Sequence, residues 1–181
     1  MPTALSNNYE NLKKLGNVTT GYGGKTAGEP FHPGIDVANR RGTQIPAFTP
    51  GVVVDVKTGF KNGDKDFGNL VKIRDAGGKI HQYGHLNQAL VRPGQTVGQN
   101  QPIATMGDSG NSYSPTGGDS SHLDYRVESR GAYINPLPFT QGGQTPNVTN
   151  GSGLRGTGGI GGNFDLSKQL VEAYRQRQGA R

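Results

Sequence analysis

The chain is 181 residues long, which suits one domain with appended segments, because domains usually contain about 100–150 residues. Its formal net charge is +6, but the basic residues are scattered, and no RNA-binding or helix-turn-helix motif accompanies them. We therefore expect a solvated basic surface and no nucleic-acid partner. The absence of cysteine excludes disulfides, thiolate metal ligands and a cysteine nucleophile.

The N-terminal sequence MPTALSNNYENLKK lacks the apolar run of a signal peptide, and no stretch reaches the roughly 18 apolar residues of a membrane span. We predict no signal peptide and no membrane span, and synthesis in a cytoplasm. Work outside the cell would then require lysis, a dedicated export route or delivery in a particle.

Residues 1–16 are polar and predict an N-terminal extension with a short helix over 9–15. Residues 17–139 predict a compact, mainly β domain, because short β-branched and apolar runs alternate with turn residues and none has a long 3.6-residue period. The runs that predict strands are 45–48, 51–56, 70–73, 79–85, 102–106 and 123–128.

The C-terminal part predicts two further segments. Residues 140–163 are rich in glycine, threonine and asparagine, which predicts a linker that cannot fold alone. Residues 164–181 predict a helix, because Leu166, Leu170 and Tyr174 recur every four residues. A single helix of this length is marginal in water, so its apolar stripe needs a surface, either on the β domain or on another subunit.

One histidine motif, FHPGID, places His32 and Asp36 four residues apart around a Pro-Gly pair. A turn at that pair can bring an imidazole nitrogen and a carboxylate oxygen to one divalent metal. The pattern alone is weak, because a histidine beside an aspartate is usually a hydrogen-bonded structural pair.

Two other motifs place histidines on strands. In SHLDYRV, His122 and Asp124 share one face of a strand. Either one is a metal ligand and the other an acid–base residue, or the two form a simple ion pair. In HQYGHL, three side chains share one face of a strand: His81, Tyr83 and His85. The alternative interpretation is that this face is a polar surface in contact with water.

The order of these motifs resembles peptidase family M23, the lysostaphin-like peptidoglycan peptidases, over roughly residues 18–138. GYGGK at 21–25 resembles the turn before the family's first motif, and GTQIPAFTPGVVVDV resembles its following hairpin. RPGQTVGQNQPIATMG is similar to a hairpin shared with biotinyl- and lipoyl-carrier domains, but no carrier lysine is present. The resemblance implies an antiparallel β-sheet groove with a metal site, normally zinc, that cleaves peptides in peptidoglycan.

The resemblance also implies roles for individual residues. It implies three metal ligands and two catalytic histidines: His32, Asp36 and Asp124 as ligands, and His85 and His122 as the residues that assist catalysis. One of these two histidines takes the proton of the attacking water, and the other stabilises the oxyanion or protonates the leaving amine. The family gives no role to His81, which is a bystander or a substitute ligand. Tyr83 and Tyr113 are the candidate substrate-binding residues.

Asp124 departs from the family, which has a second histidine at that position of its H-x-H motif. Aspartate is an acceptable zinc ligand, so three ligands and one open position remain available. Two carboxylates and one imidazole make the loaded site formally neutral and weaken its polarising power. Harder oxygen ligands shift the metal preference toward manganese without excluding zinc.

These features predict a metal-dependent endopeptidase that cuts peptide bonds in peptidoglycan. We expect it in a phage particle, as a tail or baseplate hydrolase bound to other virion proteins through the linker and C-terminal helix, or released to the cell wall. The alternatives are a catalytically degenerate structural subunit of a phage tail and a peptidoglycan-binding regulator without catalysis.

Overall fold

The computed structural model describes residues 9–64, 67–112 and 119–140. This part of the chain is mainly antiparallel β-sheet, as predicted, with one short α-helix and one 3-10 helix. From residue 141 onward, the predicted linker and C-terminal helix lie outside the described residues. No helix in the described ranges is long and apolar enough to cross a membrane.

The elements follow one another closely along the chain. Helix α1 spans Glu10–Leu15, within the predicted helix. The strands are β1 (Asn17–Thr20), β2 (Gly34–Ala38), β3 (Gln44–Pro46), β4 (Gly51–Lys57), β5 (Leu70–Arg74), β6 (Ile80–Gly84), β7 (Leu86–Ala89), β8 (Thr96–Val97), β9 (Pro102–Met106), β10 (His122–Ser129) and β11 (Ala132–Ile134). The 3-10 helix spans Leu137–Thr140.

The strands form two sheets. The larger sheet has eight strands in the order β1-β2-β10-β6-β5-β4-β8, with β11 also paired to β10, and the smaller has the order β3-β9-β7. Strand β10 lies between β2 and β6 and is antiparallel to both. The topology therefore brings motifs that are far apart in sequence into one sheet, side by side.

The strand register fixes which side chains meet. Asp124 of β10 lies opposite Asp36 of β2 on one side and opposite Gly84 of β6 on the other. Residues directly opposite in an antiparallel pair project from the same face of the sheet. The register therefore places two carboxylates side by side, with a position that has no side chain next to them.

The core contains side chains from both sheets and from α1. Leu12 of α1 is fully buried and Leu15 nearly so, so this helix packs into the same core as the strands. Tyr83 and Tyr125, which are opposite each other in the register, lie in the core with Phe48. One face of β6 and β10 therefore packs in the core. The carboxylates of Asp36 and Asp124 project from the opposite face of the sheet.

Candidate metal centre

Three donor atoms from β10, β2 and the loop before β2 converge. The Nε2 of His32 lies 3.1 Å from Oδ1 of Asp36 and 3.8 Å from Oδ1 of Asp124. One donor atom from each residue lies within 4.8 Å of the others, and all three residues are buried. The three side chains that the sequence predicted as metal ligands therefore surround one point.

Two of these donor atoms have no hydrogen-bond partner within the described part of the chain. The Nε2 of His32 and Oδ1 of Asp36 are buried, and their 3.1 Å approach is not aligned as a hydrogen bond. Unpartnered buried polar atoms are costly, and carboxylates opposite each other on a sheet repel. A divalent cation between them would remove both costs, and zinc accepts this donor set. The residues present therefore fit a metal.

Glu29 orients the histidine of this cluster. The Nδ1 of His32 lies 2.9 Å from Oε2 of Glu29. Because a carboxylate only accepts, Nδ1 is the nitrogen that donates, and the Nε2 of a neutral ring keeps its lone pair for a ligand bond. Metal-binding histidines commonly have such a carboxylate partner. Glu29 was not among the residues predicted from the sequence, although its position three residues before His32 was a usable signal.

Arg126 is the second residue that the sequence analysis missed. Its Nε lies 3.1 Å and 3.0 Å from the two carboxylate oxygens of Asp124, and its Nη2 lies 2.7 Å from Oδ2. The arginine is itself buried. Strand alternation places residues two apart on one face, so Arg126 was identifiable as a neighbour of Asp124.

The electrostatics of the cluster favour positive charge at its centre. Burial by itself lowers the pKa of His32, but the carboxylates of Asp36 and Asp124 outweigh it and raise that pKa to about 9. Burial raises the pKa of Asp36, and the adjacent His32 outweighs it and holds that pKa below its ordinary value. For Asp124 burial prevails and raises the pKa, although Arg126 opposes it. The negative charge that favours a proton on His32 also favours a cation.

His85 and His122 lie together, with ring centroids 4.6 Å apart. The Nδ1 of His85 donates to the carbonyl of Ser109 at 2.7 Å, and the Nδ1 of His122 donates to that of Ser120 at 2.8 Å. In the neutral rings each Nε2 is therefore unprotonated and free to accept a proton. The two predicted catalytic histidines have the tautomers that proton transfer requires.

His85 sits in an unusual backbone conformation, with φ of 58°. A non-glycine residue in this left-handed region carries strain that concentrates at functional sites. The ring of Phe67 stacks on its imidazole, with centroids 5.9 Å apart. Burial, and then the charge of His122, lower the pKa of His85 to about 4, so the imidazole stays neutral at all but acidic pH.

All five predicted ligands and catalytic histidines line one groove with a volume of about 960 Å³. Threonines from β1, the 26–29 loop and the segment from Asp119 to Ser121 also line it. An extended peptide can therefore enter beside the donor cluster and the two histidines.

Two other residues that the sequence singled out, Tyr83 and His81, do not line this groove. Tyr83 is fully buried and its hydroxyl accepts the amide of Phe48 at 2.9 Å, so the expectation that it contacts substrate is corrected: it is a core residue. His81 is also fully buried, between the Tyr125 hydroxyl at 2.7 Å and Asp75 at 3.2 Å, so it is no substitute ligand. Tyr113 lies outside the described residues.

The fold and the donor cluster together define a class of protein, a β-sheet groove in which a histidine and two carboxylates form a donor set that fits a divalent metal. The chain belongs to peptidase family M23, whose family model matches residues 30–136.

Known relatives agree with this assignment. The chain is 34% identical over 113 residues to the murein hydrolase activator NlpD of Salmonella dublin, covering 62% of this chain and 27% of that protein. The chain thus spans about a quarter of that curated relative. Its fold is similar to the catalytic domain of the antimicrobial peptidase lysostaphin from Staphylococcus simulans, with a TM-score of 0.58, 26% identity, and coverage of 71% of this chain and 94% of that one.

A second solved structure is similar over much of its length. The catalytic domain of the prophage-encoded M23 protein EnpA from Enterococcus faecalis is 31% identical with a TM-score of 0.54, covering 66% of this chain and 87% of that one.

Proposed function

We propose that this protein is a metal-dependent endopeptidase that cleaves peptide bonds in bacterial peptidoglycan. The observation that carries the proposal is the convergence of His32, Asp36 and Asp124 on one point, with two donor atoms left unpartnered, in a groove that two histidines share.

Two sets of residues would have different roles in this reaction. His32, Asp36 and Asp124 would hold the metal, zinc or a harder divalent ion such as manganese. When bound, the ion supplies Lewis acidity toward the scissile carbonyl and toward water. His85 and His122, with unprotonated Nε2 atoms, take the proton from the attacking water and pass one to the leaving amine.

The decisive experiment measures metal content and turnover together. We expect about one zinc per chain after loading, and release of amino groups from purified peptidoglycan. His32→Ala should lose both, His85→Asn should keep the metal and lose turnover, and the exposed Gln88→Ala should change neither. Equal turnover in the wild type and His32→Ala contradicts the metal mechanism.

A second candidate function is a peptidoglycan-binding activator of another hydrolase. Arg126 supports it, because this buried cation already balances Asp124 without a metal. The relationship to a murein hydrolase activator also supports it. This candidate predicts that the protein sediments with peptidoglycan and stimulates a separate hydrolase, but retains no zinc after dialysis and releases no amino groups.

Association with a phage particle stays a prediction. One structural relative is prophage-encoded, which supports it. Mass spectrometry of purified particles from a host that carries this gene tests it, with the host's cytoplasmic proteins as the contamination control. Absence of the chain from particles, with its presence in the wall fraction, would favour the alternative of release to the cell wall.

A further inference from the structure

Arg126 holds the carboxylate of Asp124 from the side. Its Nε and Nη2 together contact both oxygens, at 2.7–3.1 Å. A carboxylate has about four lone-pair positions, so Oδ1 can still face His32 across 3.8 Å. The arginine thus fixes the rotation of the one ligand that differs from the family pattern.

Glu29 links the same arginine to the other end of the site. The Nη2 of Arg126 lies 3.1 Å and 3.2 Å from the two oxygens of Glu29. The Oε2 of Glu29 is also the acceptor for Nδ1 of His32. The hydrogen bonds therefore run from Asp124 through Arg126 and Glu29 to His32, and they join two metal ligands that come from separate segments.

The fold makes room for this arginine. A Cβ at Gly34, which is opposite Arg126 in the register, would lie 2.5 Å from Oδ1 of Asp124 and 2.8 Å from Cγ of Arg126. The guanidinium lies 4.3 Å from the centre of the Phe67 ring, a favourable cation–π contact. Phe67 in turn occupies the space above Gly84, where a Cβ would clash with its ring. Arg126 is therefore buried and closely packed.

The net charge of this cluster of side chains is matched to a divalent ion. Three carboxylates, those of Asp36, Asp124 and Glu29, and one guanidinium give a net charge of minus two with His32 neutral. A divalent cation makes the total zero. Without Arg126, the loaded site would carry an uncompensated negative charge in a buried place, which is costly.

We propose that Arg126 and Glu29 are positioning residues for the metal centre, a role that rests on the proposed function. Arg126 holds the short side chain of Asp124 where one oxygen can reach the ion. Glu29 holds the ring of His32 with Nε2 toward the same point. Together they allow a carboxylate to serve where the family has an imidazole.

The first test measures metal binding and does not depend on turnover. We expect Arg126→Met to weaken zinc affinity by about 10- to 100-fold, the usual effect of losing a partner of a ligand, and to change the visible spectrum of the cobalt-substituted protein. Arg126→Lys should recover part of the affinity. Arg92→Met, which removes an exposed arginine, is the matched control and should match the wild type.

Several outcomes of this titration overturn the inference. An unchanged affinity and cobalt spectrum in Arg126→Met would show that the arginine does not position a ligand, while metal binding itself stands. Tighter zinc binding would show that the arginine competes with the ion. No zinc binding by the wild type overturns the proposed function, and the positioning role with it.

Glu29→Gln provides a variant should Arg126→Met fail to fold, because Glu29 is half-exposed and its amide analogue is of the same size. The amide oxygen can take the place of Oε2, which accepts from both His32 and Arg126, but the amide NH2 in the place of Oε1 only donates and would face the donor Nη2 of Arg126. We expect weaker zinc binding with an unchanged far-UV circular dichroism spectrum. Wild-type affinity in this variant contradicts the role of Glu29.

A second test separates positioning from general structural support. In an Asp124→His background, the new imidazole cannot accept both N–H groups of Arg126, so the guanidinium would keep its bonds to Glu29 but no longer hold the third ligand, and its charge would repel the ion. Arg126→Met should therefore raise zinc affinity in that background, the opposite of its effect in the wild type. The same loss in both backgrounds would assign Arg126 a merely structural role and overturn the proposal.

Discussion

At the scale of single residues, the candidate metal centre depends on close approach between strands. Gly34 lies opposite Arg126 on β2, and the space above its Cα is filled by Asp124 and Arg126. A side chain there would push on both at once. The glycine in the HPGID motif is thus required by packing.

Gly34→Ala tests this close approach. The added Cβ would lie 2.5 Å from the ligand oxygen of Asp124 and 3.0 Å from the backbone oxygen of Tyr125, so the carboxylate must move. We expect zinc affinity to fall at least as much as on loss of a ligand's partner, about tenfold or more, together with lower thermal stability. Gly98→Ala, where the Cβ meets open space, is the control. An unaltered zinc affinity in Gly34→Ala would show that the site adapts.

His85 gives the fold a pH dependence with a defined sign. Its pKa is lowered to about 4 by burial and by the charge of His122, against an unfolded value of 6.5. The unfolded chain therefore binds more protons between these values, and stability present above pH 6.5 is lost as pH falls toward 4. The full difference corresponds to about 3 kcal/mol in the free energy of unfolding.

Urea unfolding at several pH values measures this effect. Asn is suited to the left-handed backbone of His85 and does not titrate, so His85→Asn should lose this part of the acid sensitivity. Carboxylates contribute to acid unfolding in both proteins, and the difference between the two curves isolates the histidine. Parallel curves from pH 4 to 7 would contradict the lowered pKa.

At the scale of elements, α1 is a structural part of the peptidase domain. Its six residues are too few to form a stable helix alone, so its stability comes from burying Leu12 and Leu15 in the core. The N-terminal extension expected over 1–16 therefore contributes at least its helix to the domain.

Leu12→Ala tests the contribution of α1. Loss of a fully buried leucine usually costs about 2–5 kcal/mol, and we expect a loss in that range in chemical denaturation. Zinc affinity of the folded protein should be unchanged, because α1 carries none of the ligands. Asn11→Ala, partly exposed on the same helix, is the control. A loss below about 0.5 kcal/mol would mean that the helix is only loosely docked.

At the scale of the whole molecule, the net charge of +6 bears on the encounter with the wall. Basic proteins are attracted to anionic polymers, and salt screens that attraction over about 10 Å at 0.1 M ionic strength. We expect sedimentation with cell walls to decrease as sodium chloride rises from about 50 to 500 mM, a range that shortens the screening length. Walls stripped of anionic polymers should show a weaker dependence. Salt-independent binding to intact walls would show that charge does not drive the encounter.

The sequence by itself determined the mainly β architecture, because short β-branched runs between turn residues permit little else. It also predicted which five side chains would lie together in one groove, because HPGID, YGHL and SHLDYRV occur in the order of a known family. Only the tertiary structure decided that Tyr83 and His81 belong to the core, since alternation shows that residues share a face but not which face is buried.

The tertiary structure also decided the roles of Glu29 and Arg126. These two residues are 97 positions apart and meet only through the pairing of β2 with β10 and the path of the loop that precedes β2. Local pattern carries no information about such a contact, because strand register is set by which faces bury together across the whole sheet.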